Sequence, residues 1–361
     1  MNRKSYLTIL AMAAAISANA NSPYITKVYD FLPAPGQFVN GIPEYEEGDT
    51  KDDILAKVEE QLCGNDDDGP NPGMISLGSY GGYVVFGFDH PVVNVAGAYD
   101  FKIYGNAFKA TNSSTGGSCE PGIVMVSRDT NGNGEPDDQW YELAGSEYYK
   151  SGTTHNYKIT YYRPDADRAI NADPDPDYRY INDRTYIKWT DSNGETGYVM
   201  RNVYHSQSYF PEWIDDETIS FEGTLLADNG HDDSGTGTYY VLDFYDWGYV
   251  DNQPNDSDPG FNIEWAVDAA GNRVTLDAVD FIKVYCAMNQ YCGWIGETST
   301  EVCGGEDLHP DAVIAAIEDV EIDNDAPVEY YNLQGIKIDD NAIGAGIYIK
   351  KQGSKTTKVI L

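Results

Sequence analysis

The sequence predicts an all-β fold: a jelly-roll-like β-sandwich with long loops, followed by a small C-terminal β mini-domain. Three observations carry this. Between Gly73 and Glu142, short apolar or alternating runs are separated by turn residues about every ten positions. Tyr is abundant at 29 and Gly at 36, a composition that suits half-buried pleated strands punctuated by turns. Only Asp52 to Leu62 and Asp311 to Ile317 have helical spacing, and both are short.

Taken in order, the first twenty residues read as an export signal. Arg3 and Lys4 are followed by the mostly apolar stretch Tyr6 to Ile16 and by the small-x-small site Ala18-Asn19-Ala20. No later apolar run approaches the roughly twenty residues needed to span a bilayer. The mature chain is therefore expected to be secreted, extracellular or held on the outer cell surface. Residues 21–303 are expected to form the sandwich and to bind a ligand. Strands are expected at Ile75-Ser-Leu77, Tyr83 to Phe88, Val93 to Val95, Tyr99 to Tyr104 and Gly122 to Ser127. Further strands follow at Trp140 to Leu143, Tyr157 to Tyr162, Tyr186 to Trp189, Tyr239 to Tyr245 and Phe281 to Tyr285. Pro164 to Tyr178 and Asn252 to Gly260 are too polar to bury much and read as surface loops. Residues 304–327 read as an acidic linker.

The last 34 residues, Val328 to Leu361, contain five Lys and three acids, a net of +2. The whole chain carries −36, so the remainder carries −38. A field of that sign repels nucleic acid and anionic membranes, and neither is expected as a partner. The cysteines are Cys63, Cys119, Cys286, Cys292 and Cys303. Export permits disulfides, and an odd count leaves at least one thiol over. Two bridges with one spare thiol, or one bridge with three buried thiols, both satisfy the count.

The densest chemical signal is Asp129-Thr-Asn131-Gly-Asn133-Gly134-Glu135-Pro-Asp137-Asp138. Side-chain oxygens fall on alternate positions, as a loop wrapping Ca²⁺ requires. Asp129, Asn131, Asn133, Glu135 and Asp137 are the candidate ligands. Trp140 stands where an EF-hand would place its bidentate Glu, and Glu142 is the nearest substitute. An Asn-Gly-rich hairpin turn with solvated acids is the alternative. A second cation site is a candidate around Asp100, Asn106 and Glu120.

Aromatic residues in turn-rich polar stretches form the other signal: Tyr209-Phe210-Pro-Glu212-Trp213, Tyr245-Asp246-Trp247 and Tyr291-Cys-Gly-Trp294. Exposed rings stack on sugar faces or flat ligands while neighbouring carboxylates accept hydroxyl protons. Tyr209, Glu212, Trp213, Tyr245, Asp246, Trp247 and Trp294 are therefore the candidate ligand-binding residues, with burial in a sandwich core as the competing role. Neither a Gly-x-Ser-x-Gly elbow nor a His-Glu-x-x-His helix is present.

Two resemblances add to this reading. Tyr331-Asn-Leu-Gln-Gly335, Gly346-Ile-Tyr-Ile349 and Lys358-Val-Ile360 give the tail a resemblance to the C-terminal sorting domain of Bacteroidetes type IX secretion substrates. This implies recognition by that secretion machinery and delivery across the outer membrane. The central region resembles a Bacteroidetes family of secreted cell-surface proteins similar to galactose-binding-type jelly rolls. The matching pieces include Ser76-Leu-Gly78-x-x-Gly81-Gly82, Gly105-Asn-Ala-Phe108, Glu120-Pro-Gly-Ile-Val124, Asp137 to Leu143 and Gly296-Glu297. That resemblance implies capture of a glycan or other small nutrient, corrinoids included, beside an outer-membrane uptake partner. The expectation is thus a calcium-stabilised surface binding protein without catalysis. A carbohydrate-active hydrolase or lyase, or a structural surface protein, is the alternative.

Overall fold

A computed structural model describes residues 21–314 except 67–68, 71–72 and 172–179, together with 327–332, 337–338, 347–352 and 355–360 of the tail. The export signal, half of the expected linker, much of the 164–178 loop and the tail's Leu333–Ile336 and Gly346 lie outside these residues.

The chain is almost entirely β, as expected, and forms an all-β sandwich. Its main sheet has six antiparallel strands. In spatial order they are Lys27–Leu32, Tyr83–Gly87, Phe281–Cys286, Gly122–Ser127, Trp140–Leu143 and Ala266–Val267. The central strand Phe281–Cys286 is apolar along nearly its whole length and buried at five of its six positions, as a strand covered on both faces must be. A second antiparallel sheet runs Thr196–Asn202, Ile181–Asp191, Thr154–Tyr162, Thr218–Leu225. Here burial alternates, with Ile219 and Phe221 inward and Thr218, Ser220 and Glu222 outward, the period-two pattern of a sheet with one wet face. Its inward side chains, including Tyr157, Tyr161, Ile187 and Val199, form one core cluster. Leu32 and Tyr83 of the main sheet pack against that cluster, and the Thr224 N–H donates to the Tyr285 hydroxyl at 2.9 Å. These contacts join the two layers.

The single α-helix among the described residues is Lys51–Leu62, one residue longer than expected. Thr50 caps it reciprocally with Asp53, and Ile54, Val58 and Leu62 recur at four-residue spacing on its buried face. No helix covers Asp311 to Ile314. The folded body does not stop at residue 303. Gly305–Asp307 pairs with Phe101–Ile103, and the compact unit runs to Ala312. Backbone pairing rather than composition decides this boundary. None of the five cysteines is in a disulfide, contrary to both expected pairing counts. Cys286 sits in the main core, and Cys119 and Cys292 share a small cluster with Leu242. Burial pushes the Cys63 and Cys286 thiols up to about 12, so neither is a thiolate at neutral pH.

The tail is a separate unit. Its strands Lys337–Ile338, Val328–Tyr331, Ile347–Gln352 and Lys355–Ile360 form a four-stranded antiparallel sheet in that order.

Candidate functional site

A cavity of about 460 Å³ opens in the body. Its aromatic lining comes from loops and short edge strands, where scaffolded binding residues tend to gather. Phe108 stands on a two-residue strand paired with Gly116–Ser118. Tyr204 and His205 follow the strand Thr196–Asn202, Tyr239 precedes Tyr240–Asp243, and Trp294 lies on the loop after Phe281–Cys286. Phe108, Tyr204, Tyr239 and Trp294 are all exposed. The Trp294 carbonyl is held by the Asn202 side-chain amide at 2.9 Å. Gly293 just before it has a φ of +58°, and a Cβ there would lie 2.4 Å from the Tyr240 ring. Only glycine fits that turn.

Glu120 and Glu301 line the same cavity, and Asp251 lies beside them. One oxygen from each of these three carboxyls lies within 4.8 Å of the other two. All three residues are buried. Their donors are neutral: the Ser299 N–H to Glu120 at 3.1 Å, and the Ser299 hydroxyl to Glu301 at 2.9 Å. The Asn106 and Glu301 N–H groups reach Asp251 at 2.7 and 3.1 Å. Neither Lys nor Arg lines the cavity among the described residues. Burial, and then the neighbouring acids, raise Glu120 and Glu301 well above the ordinary carboxyl range. Burial takes Asp251 up to about 7 against the pull of its amide donors.

Two further buried oxygens lack donors, one in this cavity and one behind it. Gln37 lines the cavity and is 3% exposed. Its amide nitrogen donates to the Ile295 carbonyl at 2.7 Å, but its Oε1 is buried without a partner. Glu297 accepts the Gln37 N–H at 2.6 Å through one oxygen, while its Oε2 is also buried and unpartnered. Burial raises Glu297 to about 8. An unsatisfied buried acceptor costs about 1–3 kcal/mol, so a donor or cation is favoured at each.

The structure brings only some of the sequence candidates here. Trp294 and Glu120 line the cavity, and so does Asn106. Asp100 does not. It is buried elsewhere, accepting the Val95 and Ile263 N–H groups at 2.7 Å each. Tyr209 is a core residue at 0% exposure, edge-on to Tyr186. Trp213 is half-buried between Phe31 and Tyr45, and Glu212 is an exposed neighbour tied through its N–H to Asn40. Packing against Tyr186 thus makes Tyr209 a core residue, and packing between Phe31 and Tyr45 holds the Trp213 ring. Tyr245 packs on Tyr249 and donates its hydroxyl to the Ala227 carbonyl. Asp246 and Trp247 line a separate recess of about 270 Å³, where Trp247 rests on Trp265.

Within the loop at Asp129, the side chains of Asp129, Asn131, Asn133 and Asp137 engage one another or the backbone between them. Asp129 accepts the N–H groups of Gly132, Asn133 and Gly134, and the Asn131 and Asn133 amides donate to Asp137 at 2.9 and 3.0 Å. Glu135 contributes its N–H to Asn133. Glu142 does not join the loop. Its carboxyl accepts the Thr224 hydroxyl at 2.7 Å on the strand beyond, where burial raises it to about 7. No protein-family model matches the chain, and none of the curated proteins compared with it does.

Proposed function

We propose that this chain is an exported surface protein that captures a glycan or another small nutrient in the cavity beneath Trp294, without catalysis. The observation that supports it is the cavity itself. Its volume of about 460 Å³ falls in the range of small-molecule sites, and apolar rings with a few convergent polar groups are their usual lining. Phe108, Tyr204 and Trp294 offer stacking faces, while Glu120, Glu301 and the Gln37 carbonyl oxygen offer acceptors to hydroxyl groups. Calcium is the cation we assign to the Asp129 loop, with Asp129, Asn131, Asn133 and Asp137 exchanging their internal bonds for the ion.

The test is a glycan-array and small-nutrient binding screen on wild type and Trp294→Ala. Losing one stacked ring at a binding centre costs about 2 kcal/mol, roughly thirtyfold in affinity. The melting temperature should stay unchanged, because the Trp294 ring is already exposed. Trp213→Ala should do the reverse, lowering melting while leaving affinity intact. Unaltered binding in Trp294→Ala would move the ligand out of this cavity.

We further propose that Val328 to Leu361 is the signal read by the secretion machinery and that an outer-membrane uptake complex receives the captured ligand. The described tail strands pair with one another, and the body has hydrophobic cores of its own. Removing the tail should therefore leave the body's melting unchanged while stranding the protein in the periplasm of its host. Normal surface delivery of the truncated chain would overturn the sorting assignment.

A further inference from the structure

We propose that Glu120, Asp251 and Glu301 hold a divalent cation, with Ca²⁺ the best fit, at the floor of the cavity, and that part of its coordination sphere faces the ligand. The ligand half of this rests on the capture reading above; the cation half does not.

The geometry suits one ion. Calcium–oxygen distances of about 2.3–2.6 Å place two ligands of the same ion up to roughly 5 Å apart, and the three carboxyl oxygens lie within 4.8 Å of one another. The backbone already pins them. Glu120 N–H donates to the Asp251 carbonyl at 2.9 Å, Glu301 N–H to the Asp251 carboxylate, and Thr300 Oγ1 to the Glu120 carbonyl at 2.7 Å. Three segments far apart in sequence are thereby fixed around one point.

Once ionised, the three carboxyls find only uncharged hydrogen-bond donors among the described residues. Buried carboxylates are normally paired or bound to a metal, yet every hydrogen-bond donor given above for these three is neutral. Independently, the Gln37 Oε1 in the same cavity wall is buried and has no donor, and the Glu297 Oε2 behind Gln37 has none. An unpartnered acceptor in the wall of the cavity that Glu120 and Glu301 also line favours a cation with its bound water there. The donors are oxygen throughout, which selects a hard cation over zinc or copper. Calcium accepts irregular sites of six to eight oxygens, whereas magnesium demands a tight octahedron.

Three carboxylates leave coordination places unfilled, and Glu120 and Glu301 face the cavity. The ligand class that completes such an ion carries vicinal oxygens, as in a diol or a hydroxy-carboxylate. The ion would then hold the polar edge of the ligand while Trp294 and Phe108 cover its apolar face.

The experiment uses the full chain, freed of metal with EDTA, and titrates CaCl₂ by calorimetry and Tb³⁺ by luminescence sensitised through nearby aromatic rings. Wild type should bind two ions, Asp129→Ala one, and Glu120→Gln or Glu301→Gln one. In EDTA the two Gln variants should melt no lower than wild type, because each replaces a buried carboxyl that is costly to ionise with a neutral group of the same shape; a merely structural glutamate would lower melting there. Loss of all binding in Asp129→Ala, or wild-type stoichiometry in Glu301→Gln, overturns the floor site without requiring any buried variant to fold differently. The glycan array repeated in CaCl₂ and in EDTA reads the ligand contact. At least tenfold weaker capture in EDTA, in both wild type and Asp129→Ala, supports it, and equal capture overturns it. An ion bound with no glycan captured refutes the capture reading alone, whereas glycan captured without an ion refutes the metal alone.

Discussion

In chelator, the protein should lose melting temperature as the pH rises from 6 to 8, by an amount on the order of 10 °C. Glu142 and Glu297 are responsible. Burial raises Glu142 to about 7 against the bond from Thr224, and raises Glu297 to about 8 against the Gln37 N–H. Both therefore hold protons in the folded state that they would release unfolded. Their contribution is full below the ordinary carboxyl value near 4.3 and is lost as the pH climbs through 7 and 8. At about 1.4 kcal/mol per unit, the window from pH 6 to 8 takes roughly 1 kcal/mol from Glu142 and roughly 3 kcal/mol from Glu297. The floor carboxyls push the same way when no metal is bound. Asp30 and Asp183 are lowered instead, by bonds from Tyr83 and Lys51 and from Arg168 respectively, against the opposing effect of burial. Their stabilisation fades only in acid, below the ordinary carboxyl range. Scanning calorimetry at pH 5, 6, 7 and 8 measures it. Glu142→Gln and Glu297→Gln should each flatten the slope; a flat or rising wild-type profile would show that these carboxyls are ionised throughout.

Gly82→Ala should destabilise the body by more than about 3 kcal/mol, the range of severe overpacking. A Cβ at Gly82 would lie 1.8 Å from the Leu77 carbonyl oxygen and 2.3 Å from the Ala34 nitrogen. Those two atoms are hydrogen-bonded to each other at 3.0 Å. A methyl group there cannot be accommodated by rotating a side chain, because it meets backbone on both sides. Gly97→Ala is the control. It has a φ of +73° but open space around it, so only the conformational cost of about 1 kcal/mol applies. Guanidinium unfolding of the pair separates collision from backbone strain, and similar losses in both would remove the steric account of Gly82.

Much of the sandwich is legible where patterning is local. Gly122–Ser127 and Phe281–Cys286 announce themselves as apolar runs bounded by turns, and Lys51–Leu62 by its cap and four-residue spacing. Thr196–Asn202 and Thr218–Leu225 do not stand out, because their outward positions are threonine, serine and glutamate and their inward ones are sparse. The cavity is harder still. Glu120, Asp251 and Glu301 are three among 59 acids, and nothing in their separate stretches marks them as neighbours. A signal did exist in the small residues around them: Ser299 and Thr300 precede Glu301 and donate to the Glu120 carboxyl and backbone carbonyl respectively. The aromatic clusters misled at Tyr209 to Trp213 because a ring beside an acid looks alike whether it faces a ligand or closes a core.

The position of Phe281–Cys286 has a consequence for how the chain matures. It is the last strand of the main sheet in sequence, yet it lies between Tyr83–Gly87 and Gly122–Ser127. Once Ser127 has been synthesised, roughly 150 more residues must follow before the sheet can close, about ten to thirty seconds of translation. During that interval two strands rich in Val and Ile have unpaired edges on either side of a slot one strand wide, and such edges invite pairing with other chains. Closure across so long a loop is slow. The nascent chain therefore depends on being kept apart from its own kind until its C-terminal third arrives. A synthetic peptide of the 281–286 sequence is the natural intruder in that slot.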